Sequence, residues 1–344
     1  MPRLSRRTLL GAAVALPATL ALPALLARPA HAEASRVRLS HGYGILYLPL
    51  IVMRDQKLLE KHAARAELGP LEVSWQMLDG GNVINDAMLA GSLDIAGTGA
   101  PGFVTLWSRA RGIPRSEIIG VSGMSSCALV LNTNRPHIRA LGDFTPNDKI
   151  ALPGIKTSLA AVVLQMLVAK QFGQANYARL DPMTVGLPHP EAYTALMSGR
   201  TEIAAHFASP PYSARELADP KIHKVIAASE VLGDATLDVT FAPKQFVAAN
   251  PRIMAAFLAA MDEANALIAN DKPQAAAIFN RVSPSGVSDQ DVIGMLSEPD
   301  THFSTTPKGL MEYARFMGAV GSIRNRPETW QDLFMPGLHG LSGS

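Results

Sequence analysis

A stretch of ten residues is written twice in this chain. Ala87-Met88-Leu89-Ala90-Gly91-Ser92-Leu93-Asp94-Ile95-Ala96 returns 108 positions later as Ala195-Leu196-Met197-Ser198-Gly199-Arg200-Thr201-Glu202-Ile203-Ala204. Each copy reads as the end of a helix with an apolar face, a glycine stop, and a short strand with an acidic residue ahead of an Ile-Ala pair. That is half of a βαβ unit. A chain that builds the unit in two places is constrained to an α/β architecture with two lobes. In open parallel sheets, ligands bind beyond the carboxyl ends of the strands. Here those ends are Gly97-Thr98-Gly99-Ala100-Pro101 and Ala205-His206-Phe207-Ala208-Ser209-Pro210. The repeat therefore nominates two walls of one cleft. The plainer alternative is chance, since helix-Gly-strand junctions rich in Ala and Leu recur in unrelated α/β proteins.

The first 32 residues have the pattern of an export signal. Arg3, Arg6 and Arg7 precede an apolar run from Leu9 to Leu26, which leads to the small-x-small site Ala30-His31-Ala32. Cleavage after Ala32 is expected, and Ser5-Arg6-Arg7-Thr8-Leu9-Leu10 also resembles a twin-arginine signal. A membrane anchor is the competing reading, but the run contains Pro17 and Pro23, is followed by Arg28, and is short for a span. No later apolar run reads as a membrane span.

Removing the signal takes away four arginines and no acids. It leaves 27 basic against 29 acidic residues, a formal charge near −2, in a mature chain of 312 residues. A chain that is not basic, with its Lys and Arg scattered, lacks the electrostatic footprint of a nucleic-acid binder. Its length suits two cores of ordinary domain size. The single cysteine, Cys127, permits no internal disulfide and lies far from any lipid-attachment position near the signal. Within the apolar run Ser126 to Leu131 it reads as a small buried residue. A soluble, monomeric periplasmic protein is the expectation.

Along the chain, Val37–Ser40 reads as a strand and Pro49–Ala64 as a helix. Leu71–Met77 is a second strand, and Asp79-Gly80-Gly81-Asn82 is a turn in which Asn82 caps the next helix. A third strand ends at Gly97, Pro101 opens a helix reaching Arg111, and Ile118–Met124 is the next strand. Ser125–Asn132 reads as the crossing between lobes. Lys149–Leu152 starts the second lobe, and Thr157 or Ser158 caps a long helix. Thr236–Ala242 is the return strand, and a helical region follows from Asn250. The expected lobes are residues 33–127 with 236–344, and residues 128–235.

Helix starts offer unpaired N–H donors and a positive dipole end, so Gly80, Gly81 and Asn82, and again Thr157 and Ser158, are possible cradles for an anion. Lys156 would add a full charge, although surface lysine is the commoner fate. Thr98 and Gly99 join a hydroxyl to a backbone that a ligand can approach closely. Ser125 and Ser126 sit at the crossing, as hinge turns or as ligand contacts. His41, Tyr43 and Tyr47 offer aromatic faces on the rim. His206 aligns with Thr98 in the repeat and so faces the cleft from the second lobe, with His189 and Tyr212 as further candidates. No Gly-x-Ser-x-Gly elbow, phosphate-binding loop or His-Glu-x-x-His helix occurs, and the nine histidines do not cluster at metal-ligand spacing. No catalytic residue, metal or cofactor is expected.

These residues resemble the substrate-binding proteins of ABC importers for nitrate, alkanesulfonates and taurine, with the related thiamine-pyrimidine-precursor proteins. The resemblance runs from Val37 to Asp271. It rests on Asp79-Gly80-Gly81, on Leu89 through Pro101, on Asp143-Phe144 ahead of Lys149 to Gly154, and on Leu196-Met197-Ser198-Gly199. It implies a type II periplasmic binding protein, an α/β fold with its ligand cleft between lobes joined by two crossing strands. It also implies a small organic anion, sulfonate- or carboxylate-like, as ligand and an inner-membrane permease as partner. Sulfonate-binding members have a Ser or Thr cluster followed by a small polar residue at the second-lobe helix start. Here Thr157-Ser158 is flanked by Lys156 and Leu159-Ala160-Ala161. The competing reading is a small-molecule-transforming enzyme on the same fold. The yeast-type pyrimidine synthases, its nearest enzymatic relatives, carry a cysteine-rich segment that this chain lacks.

Overall fold

A computed structural model describes residues 33–344; the export signal expected over residues 1–32 lies outside the described residues. Strand β1 (Arg36–His41) places Val37 and Leu39 in the core and leads through a 3₁₀ turn to α1 (Leu48–Gln56) and α2 (Leu58–Arg65). The sequence predicts one helix here. The chain breaks it at Lys57, whose left-handed φ of 51° ends α1 with its N–H on the carbonyls of Arg54 and Met53. There follow β2 (Glu72–Met77), α3 (Gly81–Leu89), β3 (Ile95–Gly99), α4 (Ala100–Ala110) and β4 (Ile118–Ser126). The chain then crosses into a second set of elements. These are β5 (Val130–Thr133), β6 (Lys149–Leu152), α5 (Leu159–Phe172), β7 (Thr184–Gly186), α6 (His189–Ser198), β8 (Ile203–Ala208), α7 (Tyr212–Leu217) and β9 (His223–Ala227). It returns on β10 (Asp238–Pro243). It finishes in α8 (Lys244–Ala249), α9 (Pro251–Asn270), α10 (Lys272–Val282), α11 (Asp289–Met295), β11 (His302–Phe303) and α12 (Leu310–Ala319).

Two sheets result, ordered β2-β1-β3-β10-β4-β11 and β7-β6-β8-β5-β9. The strands of the sequence repeat occupy the same place in each. β3 is parallel to β1 and antiparallel to β10, and β8 is parallel to β6 and antiparallel to β5. The antiparallel neighbour is in each case the strand that has just crossed from the other sheet. Both repeat glycines adopt left-handed φ, 69° at Gly91 and 62° at Gly199. That conformation stops the helix and turns the chain into the strand without the Cβ clash other residues would meet.

Helix α5 is apolar around most of its circumference and mostly buried, capped by the Ser158 hydroxyl, which accepts from the Ala161 N–H at 3.2 Å. Helix α9 needs a correction to the sequence reading. Its 20 residues, with a mean hydropathy of 1.2, are long and apolar enough to cross a bilayer. They instead pack against α1 and α2, burying Ile253, Phe257, Met261 and Ile268. The C-terminal segment closes the first sheet from outside. The Phe334 ring lies 5.6 Å from Phe103 of α4, which in turn lies 5.7 Å from Phe241 of β10. All three rings are buried, each worth about 1.5–3 kcal/mol by transfer.

Candidate functional site

The ends of β3 and β10, the loop after β1, the turn before α3 and the starts of α5 and α6 converge on one small cavity of about 40 Å³. Its polar lining is Tyr43, Tyr47, Asp79, Thr98, Ser158, His189, Ser209 and Asp238, with Leu46, Leu129, Pro153 and Leu159 as apolar wall. One water needs about 10–15 Å³ of such space. In this closed form the cavity therefore admits only a few heavy atoms, and a bulkier ligand requires the lobes further apart. A larger groove of about 750 Å³ follows the crossing segments Ser126–Val130 and Leu232–Leu237. There Asp234 is bonded to Lys308 at 2.8 Å and His302 at 2.9 Å, and Lys224 and Asp300 also line it. The small cavity is different, because buried polar atoms there lack partners.

Asp238 sits on the return strand, opposite Gly99 of β3 and Ser125 of β4. It is 2% exposed, one of its oxygens has no partner, and the Tyr47 hydroxyl lies against its carboxylate. Burial pushes its pKa up to about 7, against the pull of that hydroxyl and with a further push from the charge of Asp79. Asp79 belongs to the turn before α3. One oxygen accepts from the Gly80 N–H at 3.1 Å and the other from the His189 N–H, at the start of α6 on the other lobe, at 3.2 Å. Burial raises it to about 6 despite both donors. Thr98 is 1% exposed and its hydroxyl also lacks a partner. No lysine or arginine lines this cavity.

On the second lobe, His206 does not itself line the cavity. Its Nδ1 meets the Glu216 carboxylate at 2.5 Å and its Nε2 meets Nδ1 of His189 at 2.8 Å, all three residues being buried. Asn132 of the crossing strand donates to the other Glu216 oxygen at 2.9 Å. The cavity wall is the ring of His189, stacked on Tyr212 at 5.4 Å and held neutral by burial, its pKa well below the ordinary value. The repeat thus brings Thr98 and His206 to equivalent strand ends in the two sheets, with His189 interposed before the cleft.

Several sequence candidates lie elsewhere. His41 is fully buried at the end of β1. Its Nε2 accepts from Arg54 at 3.2 Å, so its Nδ1–H donates to the Gly42 carbonyl at 2.9 Å, and burial lowers its pKa to about 4. Lys156 is exposed, with a left-handed φ of 67°, and its charge is felt by Asp181 rather than by any cavity group. The hydroxyls of Ser125 and Ser126 are spent on the carbonyls of Leu46 at 2.6 Å and Ala235 at 3.0 Å, tying the crossing strands to their neighbours. Asn82 does not cap α3, because Gly80, at φ 87°, is the capping residue. Instead Asn82 accepts from the Thr157 hydroxyl, and its amide points at the Ile155 carbonyl at 3.5 Å, a clasp between the lobes.

Glycines predicted as cradles turn out to be points of lobe contact. A Cβ on Gly80 would lie 2.5 Å from the Pro153 carbonyl oxygen, on Gly81 3.5 Å from that of Thr157, and on Gly99 2.8 Å from the Leu159 Cβ. Ile45 adds a backbone bond to the Pro210 carbonyl at 3.0 Å. Of the residues expected at the site, Tyr43, Tyr47, Gly80, Gly81, Thr98, Gly99 and Ser158 line the cavity. Asp79 and Asp238 were missed as site residues. The available signal was an acid inside the otherwise apolar and β-branched run Leu237 to Phe241.

No family model matches the sequence, and no curated protein matches it. Solved structures do. The alkanesulfonate-binding protein SsuA from Xanthomonas axonopodis pv. citri, bound to MOPS, superposes with a TM-score of 0.67 at 17% identity, over 86% of this chain and 96% of that one. The periplasmic aliphatic sulphonate binding protein SsuA from Escherichia coli gives 0.64 at 18%, over 88% and 93%. The periplasmic nitrate-binding protein NrtA from Synechocystis gives 0.58 at 14%, over 76% and 69%. The architecture built above, two α/β lobes on crossing strands with a buried polar cavity between them, is the fold of the periplasmic binding proteins.

Proposed function

We propose that this chain is a periplasmic solute-binding protein that closes its two lobes on a small molecule and delivers it to an ABC permease. The observation that carries the reading is the small polar cavity, walled by equivalent strand ends of two like sheets and bridged by contacts that join the lobes. The names of the superposable proteins agree with it: two are sulfonate-binding proteins, and one from Staphylococcus aureus is named as the ligand binding component of an ABC-type import system. Lobe bounds of residues 33–127 with 236–344 and of residues 128–235 agree with the division of strands between sheets.

The small organic anion expected from the sequence draws support from the ligands named for the sulfonate- and nitrate-binding neighbours. Lys156, the charge assigned to hold it, points away. An anion here would rest on neutral donors alone. Export with cleavage after Ala32, and action as a monomer, complete the proposal. Mass spectrometry of the secreted protein should give a chain starting at Glu33 without an acyl group. Spectroscopic labels on Asp86 of α3 and Glu191 of α6, both exposed, should approach when a bound solute is added and separate when it is dialysed away. Labels that hold one distance under every solute that raises the melting temperature would end the reading.

A further inference from the structure

We propose that the solute is recognised through a positively charged or N–H-rich nitrogen group, such as an amidinium or guanidinium, donating to Asp238 and Asp79, and not through an anionic head. This rests on the solute-binding reading and names the ligand class of that cleft. Three independent observations lead to it. First, the cavity contains two carboxylates and no lysine or arginine, and its one histidine is neutral. A carboxylate taken out of water without a cation is costly. Asp238, at 2% exposure with one oxygen unpartnered, keeps an acceptor for a ligand.

Second, both orphan atoms in the cavity can accept. One Asp238 oxygen has no partner, and the buried Thr98 hydroxyl, which can accept as well as donate, has none either. A planar nitrogen group with several N–H donors satisfies both, whereas a sulfonate or nitrate can use only the Thr98 O–H and sets its oxygens against the Asp238 carboxylate. Third, the α6 amino terminus, which reaches this cavity beside the start of α5, is already answered by a negative charge. Asp79 reaches across the cleft to the His189 N–H at 3.2 Å. At that helix start the protein itself fills the position an anion would take.

Isosteric pairs of opposite charge separate the possibilities: guanidinium against nitrate, acetamidinium against acetate, and benzamidinium against benzoate, each at millimolar concentration and constant ionic strength. The cationic member of at least one pair should raise the melting temperature saturably and shorten the Asp86–Glu191 label distance, while its anionic twin does neither. Asp238→Asn should weaken that cation at least tenfold by calorimetry, and Asp79→Asn should do so too. Both variants must give the wild-type circular dichroism spectrum, and the second serves if the first fails to fold. Saturable binding of an anionic member, or a cation whose affinity survives both variants, would overturn the proposed polarity while leaving the solute-binding reading intact. A blank for all six overturns the polarity as well. If the labels then also stay unmoved with a dialysable cell extract, the solute-binding reading falls with it.

Discussion

Replacing Gly99 by alanine adds one methyl group at the point where the two lobes approach. The backbone there, φ −57° and ψ 136°, is ordinary extended geometry that alanine adopts freely, so the first lobe alone is not strained. The new Cβ would stand 2.8 Å from the Leu159 Cβ and 3.3 Å from the Leu159 nitrogen. Carbon atoms rest at about 3.5–4.0 Å. The lobes must therefore part by about 1 Å at this contact, and because both Leu159 atoms are fixed to the backbone, no side-chain rotation relieves it. Overpacking of this kind costs about 1–3 kcal/mol, charged only to the closed form. Ligand affinity should fall about 5- to 150-fold. The thermal stability of the unliganded protein should hold or rise slightly, since glycine-to-alanine at a tolerant site restricts the unfolded chain. Paired labels on Asp86 and Glu191 would show the unliganded distance distribution moving outward, and calorimetry would give the affinity loss. Wild-type affinity with an unchanged distance distribution would refute the argument that Gly99 is a closure point. An equal loss of stability and affinity would refute it in another way, by showing that the methyl disrupts the lobe rather than the contact.

Asp238→Asn tests the buried acid. The folded pKa of about 7 lies above the ordinary carboxylate value of 3.8, so between these pH values the folded state binds more protons than the unfolded, and stability falls as pH rises through the window. At about 1.4 kcal/mol per unit, roughly 4 kcal/mol is at stake above pH 7. Urea melts from pH 5 to 8 should show wild type losing stability and the asparagine variant staying flatter; parallel slopes would acquit Asp238. Lys156→Ala should leave ligand affinity within about twofold, because surface substitutions of this kind move free energies by about 0.5 kcal/mol, and a tenfold loss would return Lys156 to the cleft. His206→Ala strands the fully buried Glu216, and denaturant unfolding should report a loss of about 3 kcal/mol or more. A neutral result would mean that the carboxylate finds water.

The sequence carried the fold further than the site. Helix-Gly-strand written twice specifies local conformations, and local conformations are what neighbouring residues control: the left-handed stops at Gly91 and Gly199, the cap at Ser158, the short apolar strands. The position of β3 and β8 in matching sheets follows from the same pattern, since a βαβ unit has one favoured hand and pairing. Candidates chosen for their own chemistry fared less well. His41 and Lys156 were read as charge or ring at a rim, yet burial against Arg54 neutralises the first and a left-handed turn carries the second outward. Gly80 was read as part of a cradle and Gly99 as backbone that a ligand can approach; both line the cavity, and both also leave room for the other lobe. By itself the sequence determined most of the elements, the two-lobe plan and most of the loops that meet at the cavity. The tertiary structure alone decided which charges face inward. Asp79, Asp238 and His189 lie far apart in sequence, and their joint environment, buried, acidic and without a lysine or arginine, exists only when strands that cross between the lobes bring them within reach of one another.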